Sequence, residues 1–211
     1  MPALAIKICG ITTSDTLDAA IRAGADYVGF NFFPPSPRHL QLTDAAALAA
    51  RAEGRITRVG VFVDPSDDLL RDAIGAGRLD AVQLHRVTAA RRAATMQQFR
   101  LPVWAVVEVS KPGDLAARGH LEAADRVIYD AKTPKNAALP GGMGLVFDWS
   151  LLSGLSHPWP WGLAGGLTPD NVAEAARLTG APLVDTSSGV ESAPGVKDVD
   201  KIAAFCKAAT L

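Results

Sequence analysis

Cysteine is scarce in this chain: two, Cys9 and Cys206, in 211 residues. A disulfide framework therefore does not hold it together. Its four histidines form no close pair with a cysteine, so nothing resembles the ligand spacing of a zinc site. An excess of one charge is missing too, with 21 Lys and Arg against 22 Asp and Glu and a formal net charge of -1. That balance leaves no electrostatic footprint for nucleic acid or an anionic membrane. No apolar run approaches the roughly 20 residues that span a bilayer. The opening Met1-Pro2-Ala3-Leu4 lacks the basic start and apolar stretch of a signal peptide. The expectation is a soluble cytoplasmic protein whose partner is a small molecule, not nucleic acid or membrane. Linkers rich in Pro, Gly and Ser, charge blocks and low-complexity tracts are also lacking, which argues for one domain over residues 1–211.

What the chain has is apolar material, 48% hydrophobic against 20% charged, enough for a large buried core. It is distributed in alternation. Short β-rich runs at residues 4–8, 27–32, 58–63, 81–84, 103–109, 126–129, 162–164 and 183–184 read as strands, with Ala-rich amphipathic stretches between them. Leu17, Ala20, Ile21 and Gly24 share one face of the first helix, and Val199, Ile202, Ala203 and Cys206 one face of the last. Asp64-Pro65-Ser66 and Thr168-Pro169-Asp170 each offer a helix-capping side chain, and Asp64 is assigned that structural role. Strands that alternate with helices run parallel. Eight such units predict an α/β fold, a single (β/α)8 TIM barrel. An open doubly wound sheet would call for a Gly-x-Gly-x-x-Gly turn after an early strand, and none occurs there.

Function in a parallel barrel collects where the strands end. The clearest signal is the pair of last loops, Gly165-Gly166 after strand seven and Asp185-Thr186-Ser187-Ser188-Gly189-Val190-Glu191 after strand eight. Glycines let backbone approach an anion, and barrels often bind phosphate at these two loops. Gly165, Gly166, Asp185, Ser187, Ser188 and Gly189 are the expected phosphate-binding set. Cys9 ends strand one and is either a small buried hydrophobe or a reactive thiol. Asp130 ends strand six and is either a loop cap or an acid. Arg38 lies in the proline-stiffened Pro34-Pro35-Ser36-Pro37-Arg38, which limits where its guanidinium goes and suits a bidentate grip on a carboxylate. His85 and Glu108, at the ends of strands four and five, have no role that local sequence decides. The longest irregular segment, residues 132–144, is a candidate active-site loop.

Several blocks together resemble the phosphoribosylanthranilate isomerase family. They are Lys7-Ile8-Cys9-Gly10-Ile11-Thr12, Gly29-Phe30 with Ser36-Pro37-Arg38, Val59-Gly60-Val61-Phe62, Val82-Gln83-Leu84-His85, Phe147-Asp148-Trp149, Ala164-Gly165-Gly166-Leu167 and Ser187-Ser188-Gly189-Val190-Glu191. The blocks run in order from the first strand to the last helix, and the opening and strand-eight blocks are jointly specific. The resemblance implies a (β/α)8 barrel and a step of tryptophan biosynthesis. That step is a cofactor-free Amadori rearrangement with no metal, in an enzyme that is a monomer or homodimer. It also implies Cys9 as general base, Asp130 as general acid and Arg38 as the grip on the anthranilate carboxylate. Two positions depart from the family pattern: Met143 stands in Gly141-Gly142-Met143-Gly144 where a small hydroxyl residue is usual, and Arg86 where glycine is common.

Three other readings share the barrel. A histidine-pathway ribonucleotide isomerase would show duplicated halves and paired aspartates, whereas no half-chain repeat is visible and strand one ends in Cys9. A thiamine phosphate synthase needs clustered carboxylates for magnesium. A phosphate-ligand binder without activity has no use for an acid–base pair.

Overall fold

The structure is a computed structural model that describes residues 4–115, 121, 123–133 and 144–210. Eight parallel strands close into a barrel in sequence order. They are β1 (Ala5–Cys9), β2 (Tyr27–Asn31), β3 (Thr57–Val63), β4 (Ala81–His85), β5 (Val103–Val109), β6 (Arg126–Ala131), β7 (Trp161–Leu163) and β8 (Leu183–Thr186). Closure falls at β1, which pairs with both β2 and β8 and sets Cys9 opposite Gly29 and Lys7 opposite Asp185. All the expected strands are present. β6 and β8 run two residues past their expected ends and so carry Asp130 and Asp185 to the barrel mouth.

Helices α1 (Ser14–Arg22), α2 (Leu42–Ala52), α3 (Asp67–Gly77) and α4 (Ala89–Phe99) follow the first four strands, α5 (Val172–Thr179) follows β7 and α6 (Val199–Ala209) follows β8. After β5 and β6 the described residues carry only 3₁₀ turns, at 112–115 and Trp149–Leu152. A short hairpin, β9 (Glu191–Ala193) with β10 (Val196–Lys197), sits between β8 and α6.

Side-chain alternation along each strand divides the interior into two layers. Ile6 and Ile8 belong to the large cluster that β-strands share with the helices. Val59, Ala81, Trp104, Ile128, Ala164 and Leu183 form a separate small cluster, the filling of the barrel itself. At the amino ends of the strands, Asp26, Asp80 and Asp125 each accept a 2.8 Å hydrogen bond from the backbone N–H of Ile6, Arg58 and Val103 respectively. These clamps fasten neighbouring strands at the closed end and leave the carboxyl end for chemistry.

Local details correct four expectations. Ser66, not Asp64, caps α3: its hydroxyl accepts from Leu69 N–H at 3.2 Å, while Asp64 takes a left-handed φ of +42°. Neither Thr168 nor Asp170 caps α5 with its side chain. Asn171 precedes the helix, and its Oδ1 accepts from Thr168 N–H at 2.8 Å. Gly24 does not extend the face of α1; it follows the helix end at φ +79° and is exposed. On α6 the buried stripe is Ile202, Phe205, Cys206 and Ala209, whereas Val199 is 41% exposed and Ala203 faces solvent.

Candidate active site

One cleft at the carboxyl end of the strands is lined by Cys9, Arg38, Asp130, Gly165, Gly166, Asp185, Ser187, Ser188 and Gly189, together with Asn31, Gln83 and His85. Residues from both ends of the chain thus meet around one space. Glu108 does not line it. Of the loop after β6, Gly144 and Leu145 reach the cleft, while Gly141, Gly142 and Met143 lie outside the described residues.

Alternation along β1 sends Lys7 and Cys9 inward between the outward Ile6 and Ile8. Room for the thiol comes from β2. A Cβ on Gly29 would stand 2.7 Å from Cys9 Sγ. Across the mouth, Asp130 Oδ1 accepts from Ala131 N–H at 2.8 Å. Gly165, at φ +89°, makes space there in turn, since a Cβ would lie 2.6 Å from Ala131 N and 3.1 Å from Asp130 Oδ1.

Burial, and after it the neighbouring Asp185 carboxylate, push the Asp130 carboxyl up to about 7. Such a group carries a proton over much of the neutral range. Burial pushes the Cys9 thiol above its ordinary value, against the pull of Lys7 and Lys197. His85 is driven down to about 4 by burial and by the nearby Lys7 and Arg86 charges, so it is neutral. Gln83 Nε2 stands 3.1 Å from its Nε2. Arg86 itself holds a left-handed φ of +57°, the conformation that glycine adopts without strain.

Two buried charge groups underlie the cleft, and the motifs alone did not reveal either. Lys7 Nζ donates to Asp185 Oδ2 at 2.7 Å, with the lysine fully buried. Burial works against the Lys7 charge, yet Asp185 and Cys9 outweigh it and hold the ammonium above its ordinary value. In the second group, Arg38 Nε and Nη2 donate to the two oxygens of Glu191 at 2.7 and 2.8 Å. Lys197 joins the same carboxylate and also donates to Ser187 O at 3.1 Å. Arg38 does make a bidentate grip on a carboxylate, and that carboxylate is internal. Ser187 Oγ in turn donates to Cys9 O at 3.0 Å. Period-two reading could have found Lys7, because a charge two residues before Cys9 on an apolar strand must face the barrel interior with it. Nothing local pointed to Lys197.

Around the last two loops, none of the backbone N–H groups of Gly165, Gly166, Ser188 and Gly189 reaches a backbone carbonyl among the described residues. Unpaired amides of this kind form anion-binding concavities.

The fold and this mouth define a (β/α)8 barrel enzyme whose titratable groups gather at the carboxyl ends of its strands. The family model described as N-(5'phosphoribosyl)anthranilate (PRA) isomerase matches residues 6–208. The N-(5'-phosphoribosyl)anthranilate isomerase of Paramagnetospirillum magneticum is 55% identical, over 97% of this chain and 96% of that one. The crystal structure of the phosphoribosyl anthranilate isomerase of Thermotoga maritima superposes with a TM-score of 0.86 at 34% identity, covering 98% of each chain. A further solved phosphoribosyl anthranilate isomerase, in complex with reduced 1-(o-carboxyphenylamino)-1-deoxyribulose 5-phosphate, is 31% identical with a TM-score of 0.80 and 98% coverage of both chains. This chain belongs to the N-(5'-phosphoribosyl)anthranilate isomerase family, the enzymes that isomerise a phosphoribosyl amine in tryptophan biosynthesis. Among its described residues no helix is long and apolar enough to cross a membrane.

Proposed function

We propose that the chain converts N-(5'-phosphoribosyl)anthranilate to 1-(2-carboxyphenylamino)-1-deoxyribulose 5-phosphate, with Asp130 as general acid and Cys9 as general base. The observation that carries this assignment is the shared cleft. A carboxyl pushed up to about 7 and an inward thiol line one space beside four backbone amides that have no backbone partner among the described residues.

Asp130 donates its proton to the furanose ring oxygen. The C1–O bond breaks, and the nitrogen lone pair forms an iminium at C1. The Cys9 thiolate then removes the proton from C2, and the C–H electrons make a C1–C2 double bond as the iminium is neutralised. The enol loses its hydroxyl proton to the Asp130 carboxylate while C1 takes the proton from Cys9, which yields the ketone and restores both groups. Atoms and charge balance without a redox partner. Positioned proton transfer of this kind contributes ~10²–10⁴-fold.

The amides of Gly165, Gly166, Ser188 and Gly189 serve the phosphate, with the Ser188 hydroxyl beside them. Ser187 has its hydroxyl on Cys9 O and supports the strand-one end from the same loop. Asp185 lines the same cleft from β8. Its carboxylate is engaged by Lys7 and repels a phosphate, so its charge acts on Asp130 and Cys9. Arg38, held in the cleft wall by Glu191, is assigned to the anthranilate carboxylate.

The test supplies phosphoribosylanthranilate to the purified protein without metal and follows the loss of its fluorescence. Consumption by the native chain and its collapse in Cys9→Ser and Asp130→Asn are expected. Near-normal turnover by Asp130→Asn would overturn the assigned acid.

A further inference from the structure

Lys7 is fully buried and bonded to Asp185 at 2.7 Å, in the barrel interior one inward position below Cys9. A buried ion pair is poor value for stability, because taking two charges out of water offsets most of their attraction. Apolar residues would fill this position as they fill the layer beneath it. The pair is also lopsided. Lys7 lies two residues before Cys9 on the same inward face of β1, whereas Asp185 Oδ1 is buried and has no hydrogen-bond partner among the described residues. The positive end of the pair therefore stands on β1 beneath Cys9, and the negative end, with one carboxylate oxygen left without a donor, lies in the cleft wall with Asp130.

We propose, resting on the acid–base assignment above, that Lys7 and Asp185 are positioning residues that polarise the reacting pair: Lys7 holds negative charge on Cys9 sulfur, and Asp185 holds the proton on Asp130. The chemistry needs the thiolate and the protonated carboxyl at the same moment, which is the unfavourable distribution for two such groups. Lys7 is the strongest charge acting on Cys9, opposed by Asp185 and aided by Lys197 from β10. Asp185 is the strongest charge acting on Asp130, aided by Glu108 from β5 and opposed by Lys7. One ion pair thus pulls the two groups toward each other in proton affinity and enlarges the fraction of enzyme that is competent.

The test is the double variant Lys7→Met/Asp185→Asn, which leaves no unpaired buried charge. Two titrations are followed without turnover. Cys9 is read by iodoacetamide alkylation against pH, with its peptide resolved by mass spectrometry, and Asp130 by its carboxyl carbon chemical shift. The Cys9 midpoint should rise, slowing alkylation at fixed pH by about tenfold for every pH unit that the midpoint climbs, and the Asp130 midpoint should fall. Opposite movement separates the proposal from a merely structural role, since looser packing and added water would lower both midpoints. Two unmoved midpoints, or two that fall together, would overturn it. Lys7→Arg should keep alkylation within a few-fold of the native rate. Should the double variant not fold, Lys7→Met alone decides: alkylation of Cys9 must slow, where loosened packing would speed it, and an unchanged or faster rate refutes the proposal. Because neither readout uses the substrate, failure here is distinct from failure of the Cys9→Ser and Asp130→Asn kinetic tests.

Discussion

Gly29 on β2 leaves the space that Cys9 Sγ occupies on β1, a Cβ at residue 29 falling 2.7 Å from the sulfur and 3.0 Å from Cys9 Cα. Gly29→Ala should therefore crowd the thiol and spread the β1–β2 pairing. Overpacking of this kind costs about 1–3 kcal/mol. A lower Tm together with a kcat reduced more than KM is raised is the expected outcome. Unchanged kcat in a folded Gly29→Ala would mean that the thiol does not need this seat.

Cys9→Ser and Asp130→Asn should each lower kcat by roughly 10²–10⁴-fold with KM little altered, as for groups acting in the transition state. Steady-state kinetics on both variants checks this. Asp130→Asn carries a second signature. The folded-state carboxyl titrates at about 7 from an ordinary 3.8, so the native fold favours the protonated form and loses stability as pH rises between those values. Asparagine is neutral throughout. The variant should melt above the native protein at pH 8, with the advantage shrinking toward pH 5 in thermal scans. An advantage that stays constant with pH would show that Asp130 is not buried as a charge.

Arg38 and Lys197 share Glu191, two buried cations on one anion. Removing Arg38 leaves a matched Lys197–Glu191 pair, whereas Glu191→Ala leaves two cations facing each other. Breaking a buried pair so that charge is left uncompensated costs about 3–5 kcal/mol. Glu191→Ala should thus lower Tm more than Arg38→Ala, while Arg38→Ala raises KM with a smaller change in kcat. Equal melting temperatures would show that the cluster is not electrostatically balanced by Glu191.

The profile of kcat/KM against pH should be bell-shaped with its limbs reversed from the usual assignment. The competent form has Asp130 protonated and Cys9 ionised. With Asp130 at about 7 and Cys9 above its ordinary 9.0, that form is a minority species. Below about 7 its fraction climbs with pH as thiolate increases while Asp130 stays protonated. Between the two values gain and loss cancel and the profile is flat. Above the Cys9 value thiolate is saturated, and the loss of the Asp130 proton makes the rate fall. The rising limb near pH 7 then reports Asp130. A rise that persists well above pH 8 with no plateau would contradict these affinities.

Much of this was written in local sequence. Hydrophobic runs of strand length separated by helical ones specify a parallel sheet, because side-chain period and element length are properties of short segments. The glycine-rich ends of β7 and β8 and the thiol at the end of β1 were visible for the same reason. Caps were harder. Ser66 was present in the triplet that suggested a helix start, but which of its polar residues reaches Leu69 N–H depends on a backbone turn of one residue. The stripe on α6 was only partly legible: Ile202 and Cys206 face inward as expected, while Phe205 and Ala209 take the places given to Val199 and Ala203, since which face packs inward is decided by what it packs against.

Tertiary structure alone decided how charges combine. No spacing rule links Lys7 to Asp185, 178 positions apart, or Arg38 to Glu191, 153 positions apart. Each pair exists because barrel closure sets β1 beside β8 and folds the hairpin after β8 against the loop after β2. Proton affinity follows from that enclosure, so the residue types of Cys9 and Asp130 were legible in the chain, while their titration belongs to the closed barrel.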